Sequence, residues 1–217
     1  MKLIIWDFDG TLADTRPLIE AGMDHTLQAL GLDPALREEW LKCVGLKVED
    51  GIERTFGPLG LTVDEVLKAY RSFVHSGNEH LLRPYEGMGD LLAELRDLGI
   101  PMAIASSKRG TPLRRQLCLL GWEAYFDPIV TPDEVQEGKP DPESLRLCLS
   151  AHGLAPEQAV MVGDAPFDLD MAQRAGVPSV AVGHGFSSQE VLDGYGPLAY
   201  APDTAALRDI LLAWSRP

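Results

Sequence analysis

Few cysteines, few basic side chains and no long apolar run set the first limits on this chain. Its 217 residues include three cysteines, Cys43, Cys118 and Cys148, with no Cys-x-x-Cys pair. That spacing excludes a disulfide framework and the usual cysteine zinc sites. An odd set of thiols points to a reduced, cytoplasmic protein, with Cys118 and Cys148 expected as buried thiols among leucines. Nineteen lysines and arginines stand against thirty-three acids, a net charge of −14. A surface of that sign repels nucleic acid and anionic lipid, so neither is an expected partner. The apolar run after Met1-Lys2 ends at Asp7, too short for a secretion signal. Longer apolar stretches are broken by charge, Gly or Pro, so no membrane span is expected.

What is present is a 45% hydrophobic chain, enough for one large domain or for a core with a smaller companion. Five short apolar runs read as strands: Lys2–Trp6, Met102–Ala105, Pro128–Val130, Ala159–Val162 and Ser179–Val182. Most are separated by helical patterns that end in Gly and an apolar residue, as at Leu98-Gly99-Ile100 and Ala175-Gly176-Val177. The alternation predicts a mostly parallel sheet wrapped by helices. Thr62 with Glu65, Thr131 with Glu134 and Ser187 with Glu190 have the spacing of helix-opening capping boxes. Between Asp14 and about Arg83 the alternation stops. That stretch reads as helix after helix, over 17–30, about 36–43 and 63–77, and predicts a helical subdomain joined at 13–15 and 82–87. His25, His75 and His80 read as solvated or partly buried residues within it.

The first run ends on Asp7-Phe8-Asp9-Gly10-Thr11. Residues i and i+2 of an extended segment share a face, so Asp7 and Asp9 can address one pocket at the strand's carboxyl end. Ligands of open α/β sheets bind at that edge. Two adjacent acids there repel unless a cation or a proton intervenes. The motif alone also reads as a solvated turn. A calcium loop is excluded, because Gly10 comes too early and no Glu closes the loop. Three more polar clusters follow predicted strands or open predicted helices: Ser106-Ser107-Lys108, Gly138-Lys139-Pro140 and Gly163-Asp164-Ala165-Pro166-Phe167-Asp168. Singly, these read equally well as a helix cap, a surface lysine and a turn.

In this order, with a helical insertion after the first motif, the four clusters resemble the haloacid dehalogenase superfamily, and most closely its phosphoglycolate-phosphatase-like branch. The resemblance spans essentially the whole chain. It implies a Rossmann-like α/β core over 1–14 and 84–217 and a helical cap over 15–83. It also implies Mg²⁺-dependent hydrolysis of a small phosphate monoester, phosphoglycolate-like, in a monomer or homodimer. Asp7 matches the nucleophile, and Asp9 the acid–base residue whose carbonyl also ligates metal. Ser106 and Lys139 match the groups that bind the phosphoryl oxygens, with Ser107 beside them. Asp164 and Asp168 match the metal acids, Asp168 directly or through water. Two positions depart from the pattern. Ser106-Ser107 replaces a common Thr-Asn, and Ala165 replaces a Ser or Thr whose hydroxyl would help to orient Asp164.

Asp9 argues against the dehalogenase and phosphonate-hydrolase branches, despite Lys42 and Lys47 in the cap. Gly163 before Asp164 argues against a sugar phosphomutase, the nearest enzymatic alternative. A phospho-accepting or binding protein without hydrolysis is the alternative from another class. Arg54 is the first candidate for a substrate contact in the cap, against a plainer reading as an exposed helix arginine.

Overall fold

The protein is described by a computed structural model covering residues 2–74 and 76–216, so His75 lies outside the described residues. The chain opens with β1 (Leu3–Trp6) and β2 (Ala13–Asp14), then runs through α1 (Arg16–Leu30), α2 (Leu36–Leu41), α3 (Val48–Phe56) and α4 (Val63–Val74). It returns through β3 (Arg83–Pro84), α5 (Met88–Asp97), β4 (Met102–Ala105), α6 (Gly110–Leu120) and β5 (Ile129–Val130). It closes with α7 (Glu143–His152), β6 (Ala159–Gly163), α8 (Pro166–Ala175), β7 (Ser179–Val182), α9 (Gln189–Asp193), β8 (Ala199–Ala201) and α10 (Thr204–Ser215).

Six strands pair in the order β5-β4-β1-β6-β7-β8, with every neighbouring pair parallel. The strands are continuous apolar runs because both faces are covered. Ile4, Trp6, Val160 and Val162 point to one side and pack with Leu91, Leu92, Leu113 and Leu207. Leu3, Ile5, Ala159 and Met161 point to the other and pack with Leu145, Leu149 and Met171. From β1 the chain builds outward through β4 and β5, then crosses back to place β6 on the opposite side of β1. The carboxyl end of β1 is therefore the switch point, where open α/β sheets form their ligand crevice.

Helices α1 to α4 hold a separate apolar cluster, with Met23, Leu27, Ile52, Phe56 and Val66 around Trp40. The Trp40 ring meets Phe56 edge-on at 5.0 Å. Where the chain leaves and re-enters the core, β2 and β3 pair antiparallel, Ala13 with Pro84 and Asp14 with Arg83. Contacts across this seam close the helices over the sheet. The Ser107 hydroxyl donates to the Gly45 carbonyl at 2.7 Å, Lys47 donates to the Gln136 carbonyl at 3.0 Å, and Arg109 pairs with Glu49 at 2.8 Å.

Several local expectations need correction. Thr62 and Glu65 do form a capping box at the start of α4. Glu134 accepts from the Thr131 N–H and hydroxyl, but the Thr131 hydroxyl accepts from the Asp133 N–H and not from Glu134; the bonds close a turn, and the next helix begins only at Glu143. Helix α9 is entered from Ser188 without a side-chain cap, so Ser187 does not open it. Cys148 is buried as expected, whereas Cys118 is exposed, because α6 turns Leu113, Gln116 and Leu117 inward and the adjacent Cys118 outward.

Candidate active site

Three of the polar clusters stand immediately beyond a strand, and the fourth, around Lys139, lies in the loop between β5 and α7. Asp7 follows β1 and keeps the ladder going, donating its N–H to the Val162 carbonyl at 2.9 Å. The next residues form a tight loop in which the N–H groups of Thr11, Leu12 and Ala13 all reach the Phe8 carbonyl. Gly10 sits in that loop at φ 81°, and any side chain there would collide with the Asp164 carboxylate and the Phe186 ring. Ser106 follows β4, and its N–H donates to the Val130 carbonyl at 3.0 Å. Asp164 follows β6, and Asp168 lies in the first turn of α8.

Lys139 ties these loops together. Its ammonium donates to Asp7 Oδ1 and to Asp168 Oδ1, both at 2.6 Å, and all three groups are buried. The second Asp168 oxygen accepts the Ala165 N–H at 3.0 Å. Asp164 is held by the Thr11 hydroxyl at 2.9 Å and the Phe186 N–H at 2.7 Å. Those two donors orient Asp164, although Ala165 brings no hydroxyl. Thr11 is thus a supporting residue of the site that its motif position alone did not single out.

The electrostatics of the cluster are strained. Carboxylate oxygens of Asp7, Asp164 and Asp168 lie within 4.8 Å of one another. Burial pushes the Asp7 carboxyl up to about 7, against the pull of Lys139 and with Asp168 adding to the rise. Burial also raises Asp164 well above the carboxylate range, reinforced by Asp168 and Asp7. Burial works to lower Lys139, but Asp168 and Asp7 outweigh it and hold the ammonium above its ordinary value. Three carboxylates and one ammonium leave a formal charge of −2 in a buried space. An all-oxygen donor set with that deficit fits a hard divalent cation.

Asp9 faces the other way, into a cavity of about 670 Å³ between the helices and the core. Its Oδ1 accepts from Lys108 Nζ at 2.5 Å, and the same ammonium donates to Gln116 at 2.7 Å. Lys108 was legible only as the third residue of a Ser-Ser-Lys cluster, a position that reads as a solvated lysine. Ser106 is buried, and its hydroxyl accepts the Lys108 N–H at 3.4 Å. Ser107 lines the cavity while its hydroxyl holds the Gly45 carbonyl. Arg54 is not brought to the site. Helix α3 turns Gly51, Ile52 and Phe56 inward, which leaves Arg54 exposed and outside the lining of the cavity.

The family of haloacid dehalogenase-like hydrolases matches residues 4–182 of this sequence. The chain belongs to that family. It is 35% identical over 195 residues to the pyrophosphatase PpaX of Bacillus velezensis, across 89% of this chain and 88% of that one. A haloacid dehalogenase-like hydrolase from Streptococcus pneumoniae superposes with a TM-score of 0.82 at 26% identity, covering 100% of this chain and 99% of that one. A structure titled a predicted phosphoglycolate phosphatase, from Haemophilus somnus, shares the fold at a TM-score of 0.84 and 23% identity, covering 97% and 98%. The protein is thus a hydrolase with an α/β core of mostly parallel strands, and its buried aspartates fit a divalent metal site.

Proposed function

We propose that this hydrolase is a Mg²⁺-dependent phosphatase of small phosphate monoesters, working through an aspartyl phosphate on Asp7. The observation that carries the reading is the division of labour between the two opening acids. Asp7 lies buried among Lys139, Asp164 and Asp168, and Asp9 faces the cavity on Lys108. In this reading Asp7 serves as the nucleophile, and Asp9 serves as the proton donor toward the cavity that would take the leaving group.

In the first step a carboxylate oxygen of Asp7 attacks phosphorus while the ester bond breaks in line. Asp9 supplies the proton to the departing alkoxide. That delivery requires the Asp9–Lys108 contact to open, and an incoming phosphoryl group offers Lys108 an alternative anion. In the second step Asp9 takes a proton from water as the water attacks phosphorus, which releases phosphate and regenerates Asp7. Lys139 stays within reach of Asp7 throughout and neutralises charge there, while the Ser106 hydroxyl donates to a phosphoryl oxygen. Asp7, Asp164, the Asp9 carbonyl and, directly or through water, Asp168 would hold the Mg²⁺. When bound, it supplies charge neutralisation for the transferring group.

The helical segment 15–83 acts in this reading as a lid, held down by the Ser107, Lys47 and Arg109 contacts across the seam. Pyrophosphate hydrolysis is a second reading, supported by the name of the Bacillus relatives. The decisive assay is hydrolysis of p-nitrophenyl phosphate by the purified protein. Turnover that needs millimolar Mg²⁺ and stops with excess chelator is expected, and an absence of turnover would overturn the phosphatase reading.

A further inference from the structure

The cavity that opens from Asp9 is too large and too apolar for the small anions that the fold and the relatives bring to mind. Its 670 Å³ lies in the ~300–1,000 Å³ range of sites that enclose drug-sized ligands. Its walls on the lid side are Leu18 and Met23 of α1, Trp40 of α2, Val48 of α3 and Leu67 of α4. A glycolate leaving group, or the second phosphoryl group of pyrophosphate, would occupy only the mouth beside Asp9 and leave the apolar walls wet.

The charges around the cavity point the same way. A second anion on the substrate needs a cation free to meet it. Among the described residues, four cations line the cavity, and each is held by a carboxylate of the protein. Lys108 is on Asp9 at 2.5 Å and Arg115 on Glu79 at 2.9 Å. Arg109 is on Glu49 at 2.8 Å and Asp133 at 3.1 Å, and Arg71 is on Glu49 at 3.3 Å. Four cations against four carboxylates make a neutral rim. An incoming phosphoryl group can draw on Lys108 beside Asp9, whereas Arg71, Arg109 and Arg115 already face carboxylates of the protein.

We infer that the substrate is the phosphate monoester of an uncharged, predominantly apolar alcohol, whose body fills this cavity while its ester oxygen lies at Asp9. The assignment rests on the phosphatase reading and sharpens it. Leaving groups that carry a carboxylate or a second phosphate are disfavoured for want of a free cation. Leaving groups that extend apolar surface are favoured by the contacts of Trp40, Leu67 and their neighbours.

Straight-chain alkyl phosphates test this cleanly, because their leaving alcohols have nearly the same basicity and differ in apolar length. With Mg²⁺-loaded full-length protein, kcat/KM should climb from ethyl to hexyl phosphate by about tenfold or more, since each buried methylene contributes severalfold. Phosphoglycolate and pyrophosphate should fall at or below ethyl phosphate. Val48→Lys places a free cation on the cavity wall and should cut the preference for hexyl phosphate over phosphoglycolate by about tenfold. Leu46→Lys, at another lining position, serves if the first variant does not fold. A flat alkyl series, or a preference for phosphoglycolate or pyrophosphate, would overturn the inference while leaving the phosphatase reading intact, provided p-nitrophenyl phosphate is still turned over. No turnover of any ester, p-nitrophenyl phosphate included, would overturn both.

Discussion

At the carboxyl ends of β1, β4 and β6 the protein concentrates charge: three buried aspartates around one lysine, each held by hydrogen bonds from neighbouring loops. A few residues away, on the lid side of Asp9, it presents apolar helix faces and cations already matched to acids. The first region is buried, costly in charge and built from loops beyond the strand ends and the first turn of α8. The second is spread over four helices and uses the same kinds of side chain as the lid's own core. The contrast separates two tasks. Phosphoryl transfer needs fixed charge, which few residue types provide, whereas accommodating a leaving group needs shape, which many can provide. In the reading above, chemistry is held by the first region and selection by the second.

The sharpest way to break this division is at Asp7. Asp7→Asn removes the nucleophile and a carboxylate of the charge cluster, and should lower kcat by about 10⁴–10⁶-fold on every ester, long or short. Asp9→Asn should distinguish leaving groups instead. Loss of proton transfer is a term of roughly 10²–10⁴-fold, felt fully by alkyl phosphates and much less by p-nitrophenyl phosphate. Equal losses on both ester types would contradict the role of Asp9 as the acid.

Charge in the first region also has a signature without turnover. Asp7 and Asp164 are both raised, chiefly by burial, so in metal-free protein they keep protons that the unfolded chain has released. The stability that Asp7 contributes is complete below about pH 4 and is lost as the pH climbs through about 7, and Asp164 acts in the same direction. The melting temperature of metal-free protein should therefore fall across that window. Mg²⁺ at one fixed concentration, about one hundred times its dissociation constant at pH 8, should restore about 5–10 °C there and much less at pH 5. A metal increment independent of pH would argue against these carboxylates as its ligands.

The smallest effect belongs to the lid. Glu49→Gln weakens its pairing with Arg109 and Arg71, which are partly exposed. Pairs of that kind are worth a few tenths to about 1 kcal/mol, so KM should rise by no more than about fivefold with kcat nearly unchanged. A large fall in kcat would instead place Glu49 in the chemistry.

The two regions also differ in how far their sequence discloses them. Asp7, Asp164 and Lys139 could be singled out only together, because four motifs in order beside short apolar strands resemble one family, whereas each alone reads as a turn or a surface lysine. Strand β8 escaped because Ala199-Tyr200-Ala201 has no β-branched residue and little apolar length. The lid was visible as a helical stretch, but its lining was not. Leu18, Met23 and Leu67 carry the same helical periodicity whether they face the lid's core or the cavity. Arg54 shows the consequence. Its choice depended on a helical phase that only the packing of α3 fixes, and that phase turns it outward. Lys108 was overlooked for a related reason, since nothing local shows that its ammonium reaches Asp9, ninety-nine residues away in the chain.

The central claim is that Asp7 carries the phosphoryl group. Asp9→Asn protein mixed with p-nitrophenyl phosphate and Mg²⁺, quenched in acid and digested, tests it most directly by mass spectrometry of the peptide that contains Asp7. The second step should be slowed, so the account predicts one phosphoryl group on that peptide, localised to Asp7 and lost on treatment with hydroxylamine. Steady turnover with that peptide unmodified at every quench time, or with the phosphoryl group on another residue, would contradict it.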